Sequence, residues 1–183
     1  MQKIDSILTD IINKIKPTEQ EIREINIFID EFAKKLDAKL KKLKINAEIF
    51  VGGSFAKKTM IKKDKYDADI FLRFDKSYNN EVISGLTEKV LTGLFSFKKV
   101  HGSRDYFMIK INNNFFIELI PVKKVNKPDQ AENITDLSYL HVKYITSKVK
   151  SRKMISEIML SKAFCHANNC YGAESYINGF SGY

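Results

Sequence analysis

The sequence predicts an α+β fold, a mixed sheet flanked by helices and followed by a second, helical segment. Three observations carry that expectation. Apolar residues recur at spacings of three and four from residue 4 to residue 43 and again beyond residue 136, the period of helices buried on one face. Between them lie five short apolar runs separated by polar or glycine-containing turns, the texture of strands. With 44% apolar and 29% charged residues in a chain of 183, there is material for a real core, which excludes disordered, collagen-like and mini-protein classes.

The first helix is expected over residues 3–15, where Ile4, Ile7, Leu8, Ile11, Ile12 and Ile15 fall on one face, and Pro17 ends it. Thr18 followed by Glu21 is a capping-box pattern. From there Ile22, Ile25, Ile29, Phe32, Leu36, Leu40 and Leu43 continue a long amphipathic helix to about residue 44. Strands are predicted at 47–51, 68–74, 97–100, 106–111 and 115–120, with a helix at 80–94 and a hairpin turn at Asn112-Asn113-Asn114. After Pro128 helices are expected over 136–150 and 151–168. The boundary near 125–136 divides a first domain, 1–135, from the helical start of a second, 136–183.

No apolar run reaches the roughly 18 residues that a membrane-spanning helix needs, and the opening Met-Gln-Lys-Ile-Asp lacks a secretory layout. A soluble, cytoplasmic chain without membrane contacts is the expectation. The 31 Lys and Arg against 22 Asp and Glu favour a polyanionic partner such as RNA, although the lysines are scattered over the whole chain. Cys165, Cys170 and the adjacent His166 are too few for a closed zinc site, so reduced thiols are expected.

The chemistry gathers in three places. Gly52-Gly53-Ser54 follows the first predicted strand, where glycines let a backbone approach a ligand and free amides can face phosphate oxygens. Asp67 and Asp69 alternate along the second strand and so share one face, while Ala68, Ile70, Leu72 and Phe74 line the other. Like charges at about 4 Å repel by roughly 4 kcal/mol at an effective dielectric near 20, so folding alone gives little reason to pair these acids. A divalent cation removes the penalty, and oxygen ligands suit Mg²⁺. Glu118 interrupts the apolar strand Phe115-Phe116-Ile117-Glu118-Leu119-Ile120 and needs a metal or a cation as partner.

Gly53-Ser54 followed by Asp67-x-Asp69 and a later third acid resembles the signature of the DNA polymerase β-type nucleotidyltransferase superfamily. Within it, Gly-Ser-Phe-Ala-Lys-Lys-Thr at 53–59, Ile-Glu-Leu-Ile-Pro-Val at 117–122, Tyr-Gly-Ala-Glu at 171–174 and Gly-Phe-Ser-Gly-Tyr at 179–183 resemble archaeal, class I CCA-adding tRNA nucleotidyltransferases. The resemblance implies a polymerase β-like catalytic head that transfers CMP and AMP from CTP and ATP to the 3′ end of tRNA without a template. It implies Asp67, Asp69 and Glu118 as catalytic ligands of two Mg²⁺ ions. Nucleotide contacts would fall on Gly53, Ser54, Lys57, Ser138, His141, Lys162 and Tyr171. Lys162 has independent support, because it continues the helical face of Ile155, Ile158 and Met159, where a solvated lysine is unexpected.

The chain departs from the family where Glu118 stands for the usual aspartate and Leu137 for an arginine. Family members also continue beyond Gly-Phe-Ser-Gly-Tyr, so the chain is either truncated or half of a split enzyme, with a second polypeptide supplying the C-terminal body and tail domains. Two rival readings are another superfamily member, antitoxin-like or an oligonucleotide synthase, and an inactive RNA-binding scaffold.

Overall fold

The computed structural model describes residues 2–170, with side chains from residue 4 onward. Helix α1 spans Gln2–Ile15 and α2 Glu19–Leu43. The capping box forms as expected: Thr18 N donates to Glu21 Oε2 at 2.7 Å and Glu21 N to Thr18 Oγ1 at 3.2 Å. Lys44, at φ 54°, turns the chain out of α2. Strand β1 (Ala47–Val51), the single-turn helix α3 (Gly53–Ala56), β2 (Tyr66–Phe74) and α4 (Asn80–Leu91) follow. Then come β3 (Phe97–Val100), β4 (Tyr106–Lys110) and β5 (Phe115–Lys123). Two 3-10 turns, Pro128–Gln130 and Ile134–Leu137, lead to α5 (Ser138–Lys148) and α6 (Arg152–Ala167).

The sheet has the order β1-β2-β5-β4-β3, with β2 and β5 parallel and every other neighbour antiparallel. This is the mixed sheet that the short strand runs predicted. One face is dry: Ala68, Ile70, Leu72 and Phe74 of β2, Phe107 and Ile109 of β4, and Ile117 and Leu119 of β5 are all buried. Against them pack Ile25, Ile29, Phe32, Leu36 and Leu40 of α2 and Ile83, Val90 and Leu91 of α4. Because side chains alternate along a strand, the same β2 and β5 present Asp67, Asp69 and Glu118 on the opposite face.

Several boundaries differ from expectation, each for a local reason. β2 begins at Tyr66, which is buried and donates its hydroxyl to Glu21 Oε1 at 3.1 Å. β5 runs through Pro121 to Lys123. Lys124 N points to Phe74 of β2, so alternate residues put the imide of Pro121 on the β4 side, beyond the last β4 partner of the ladder at Leu119. No ladder bond is lost there. Helix α4 stops at Leu91, and the chain turns at Gly93 with φ +78°. The expected helix from 136 begins as a 3-10 turn, held by Asp136.

Asp136 is 1% exposed and accepts from the backbone N–H groups of Lys123 at 2.8 Å, Glu132 at 3.2 Å and Asn133 at 3.0 Å. It also pairs with Arg104, whose second guanidinium nitrogen donates to Asn80 Oδ1 at 2.6 Å. This hub ties the entry of α5 to β5, to α4 and to the β3–β4 turn. The Arg73 guanidinium lies 3.6 Å over the Tyr139 ring, and Phe50 meets that ring edge-on at 4.9 Å. Helix α5 therefore rests on the polar face of the sheet, and α6 packs against α1.

Candidate active site

Two glycines bring the chain after β1 onto the acidic face. Gly52 N donates to Asp69 O at 2.8 Å. A Cβ on Gly52 would stand 2.4 Å from Phe71 Cε2. On Gly53, at φ +59°, it would stand 1.7 Å from Asp69 Oδ2. Only glycine combines that backbone angle with that approach. Ser54 follows in α3, and its carbonyl accepts from Thr59 N at 3.0 Å, closing the loop that carries Lys57.

Asp69 and Glu118 are register partners across the parallel β2–β5 pair, and Met108 of β4 stands opposite Glu118 on its other side. Asp67 lies one alternation along β2 from Asp69. Burial, and then the charges of Asp69 and Asp67, push the Glu118 carboxyl up to about 7. Burial and Asp67 raise Asp69 in the same way. Groups that resist ionising side by side are those that a shared cation would relieve.

Cations surround the acids. Lys57 is 7% exposed and its pKa is lowered by burial, an effect that Asp69 partly offsets. Lys162 of α6 is 4% exposed and donates to Thr59 O at 3.2 Å and Thr59 Oγ1 at 3.4 Å. Burial, followed by repulsion from Lys57 and Lys63, brings Lys162 down to about 8. His141 of α5 is lowered by burial and by Lys57. Ser138 opens α5 one turn before His141. The structure thus gathers Asp67, Asp69, Glu118, Lys57, His141 and Lys162, with Gly53 and Ser54 in the loop above. Tyr171, the Tyr-Gly-Ala-Glu motif and the Gly-Phe-Ser-Gly-Tyr motif lie outside the described residues.

The donor set is all carboxylate oxygen and mutually repelling, which fits Mg²⁺ or another hard cation. Among the described residues no three His, Cys, Asp or Glu side chains are drawn together as a finished metal cluster. Lys63 lies beside the acids: its Nζ pairs with Asp67 Oδ1 at 3.1 Å and its charge favours ionised Asp69 and Glu118. Sequence reasoning passed over Lys63, one lysine in a lysine-rich loop. It also passed over Thr59, Arg104 and Asp136, whose partners are distant in sequence.

The nucleotidyltransferase domain family matches residues 29–159, a span that carries all three acids, Lys57 and His141. The chain belongs to the nucleotidyltransferase domain family. Among curated proteins, this nucleotidyltransferase domain is 39% identical over 137 residues to a CCA-adding enzyme of Nanoarchaeum equitans, covering 74% of the chain and 33% of that enzyme. A CCA-adding enzyme of Methanocaldococcus jannaschii is 27% identical over 187 residues, covering 98% of the chain and 41% of that enzyme. The chain therefore spans between a third and two-fifths of the length of these relatives. A solved cytoplasmic RNA terminal U-transferase shares the fold with a TM-score of 0.72 at 14% identity, over 100% of this chain and 51% of that one. Cid1 poly(U) polymerase, in a structure with Mg and 3′-dATP bound, gives 0.73 at 16% identity over 98% of this chain and 52% of that one.

Proposed function

We propose that this nucleotidyltransferase domain transfers CMP and AMP from CTP and ATP to the 3′ end of tRNA, as the catalytic part of a CCA-adding enzyme. The observation that carries the reading is the pairing of Asp69 with Glu118 across two parallel strands, beside Asp67 and facing Lys57 and Lys162. The curated CCA-adding relatives support the substrate, and the net charge of +9 suits RNA.

In this reading Asp67, Asp69 and Glu118 hold two Mg²⁺ ions, which when bound lower the pKa of the acceptor hydroxyl and neutralise phosphate charge. The remaining work falls to the chain. The acceptor 3′-hydroxyl gives its proton to solvent water as its oxygen attacks the α-phosphorus of the nucleotide, and the bond to pyrophosphate breaks with the electron pair leaving on pyrophosphate. Lys57 and Lys162 neutralise charge on the departing pyrophosphate, while Ser54, Ser138 and His141 hold the triphosphate in line. Gly53 lets the loop backbone lie close to the triphosphate, and Tyr171 completes the nucleotide contacts. A second polypeptide or continuing chain supplies the body and tail that grip the tRNA.

The test is incorporation of labelled CTP and ATP, with UTP as a control, into tRNA lacking its 3′ end, using this chain with Mg²⁺ and then any co-purifying polypeptide. Asp69→Ala should abolish incorporation while circular dichroism keeps the wild-type fold. Equal activity in that variant would sink the assignment.

A further inference from the structure

Lys63 occupies a position that the family signature does not assign. It lies in the stretch joining α3 to β2, four residues before Asp67. Its ammonium sits 3.1 Å from Asp67 Oδ1, with side-chain exposures of 32% and 42% for the lysine and the aspartate. It also lines a cavity of about 360 Å³, shared with Glu21, Glu24, Asp64 and Tyr66. Of the carboxylates there, Glu21 is already held by Thr18 and Tyr66, while Glu24 and Asp64 are exposed. A compact ammonium on a four-carbon stem can leave Asp67 by side-chain rotation.

We propose that Lys63 is a resident counter-ion. It neutralises part of the charge at Asp67 and gives way, by rotation towards solvent, when a divalent ion binds there. This rests on the reading of Asp67, Asp69 and Glu118 as metal ligands. A single positive charge offsets only part of a three-carboxylate cluster, whereas a divalent ion offsets more and coordinates several oxygens at once. The lysine keeps the metal-free site from flying apart and yields to the stronger cation.

Binding of Mn²⁺ to the full chain, followed by the loss of the free-ion electron paramagnetic resonance signal, tests this directly. The samples are wild type, Lys63→Met, Lys63→Gln, Asp69→Asn and Lys65→Met. The last removes an equal charge from an exposed neighbour in the same loop. The two Lys63 variants should bind Mn²⁺ about three- to fivefold tighter than wild type, the upper end of the range expected when a partly exposed ion pair no longer competes. Lys65→Met should stay within about twofold of wild type, since a fully solvated charge is screened. In metal-free buffer the Lys63 variants should unfold at lower temperature than wild type, with Mn²⁺ raising their midpoints by more. Equal Mn²⁺ affinity in wild type and both Lys63 variants, with wild type binding and Asp69→Asn weakened, overturns the counter-ion alone. Saturable binding in none of the proteins, or no weakening in Asp69→Asn, overturns the metal reading and the counter-ion with it.

Discussion

Replacing Lys162 by methionine should make the protein more stable and worse at holding nucleotide. Lys162 is 4% exposed, and its ammonium is held at about 8 against an ordinary 10.5. At about 1.4 kcal/mol for each factor of ten, that gap corresponds to a cost of about 3 kcal/mol for keeping the charge inside the fold at neutral pH. Losing its bonds to Thr59 O and Oγ1 takes back about 1 kcal/mol each. The methionine fills similar volume, so a net gain of about 1 kcal/mol is expected at pH 7. The folded state holds the proton less tightly than the unfolded chain, so both are charged below about 8 and the full cost applies there. Between about 8 and 10.5 only the unfolded chain is charged, and wild-type stability rises with pH through that window. The advantage of the variant should shrink across it. Urea unfolding in EDTA at pH 7 and at several pH values up to 10 reads both effects, and nucleotide binding by equilibrium dialysis reads the loss. A variant clearly less stable at pH 7, together with a wild type that shows no rise above pH 8, would refute the reasoning.

Gly53→Ala should cost about 1 to 3 kcal/mol from the left-handed backbone alone, and more because its Cβ meets Asp69 Oδ2. Thermal unfolding and Mn²⁺ titration should show both a lower midpoint and weaker metal binding. Asp136→Ala strips the partner from buried Arg104 and three backbone N–H groups, so a loss of about 3 to 5 kcal/mol is expected by urea unfolding. Asp69→Asn removes one of the mutually repelling charges, so the metal-free protein should be more stable than wild type by urea unfolding while Mg²⁺ no longer raises its melting temperature.

The sequence carried the strands, the capping box and the shared face of Asp67 and Asp69, because each depends on residues a few positions apart. Alternation in 67–74 is enough to put acids on one face and a dry core on the other. Lys162 was marked by its place on the apolar face of α6, and it is buried there. Its partner was invisible, since Thr59 lies 103 positions away. The same holds for Arg104 with Asp136, 32 apart, and for Arg73 stacked on Tyr139. Strand ends were misjudged where tertiary contacts decide them. Tyr66 extends β2 because its hydroxyl finds Glu21, and Pro121 sits within β5 because β4 has already ended on that side.

The contact between Gly53 and Asp69 sets a limit on how this site can be varied. With the glycine loop lying against the Asp69 carboxylate, position 69 has no room for a longer acid, and the loop would have to lift to admit glutamate. Across the ladder, position 118 faces only Met108 on its far side and already carries the longer side chain. Reach in this acidic face is thus adjustable at position 118 and fixed at position 69. A designer wishing to retune the spacing between the paired carboxylates works from β5.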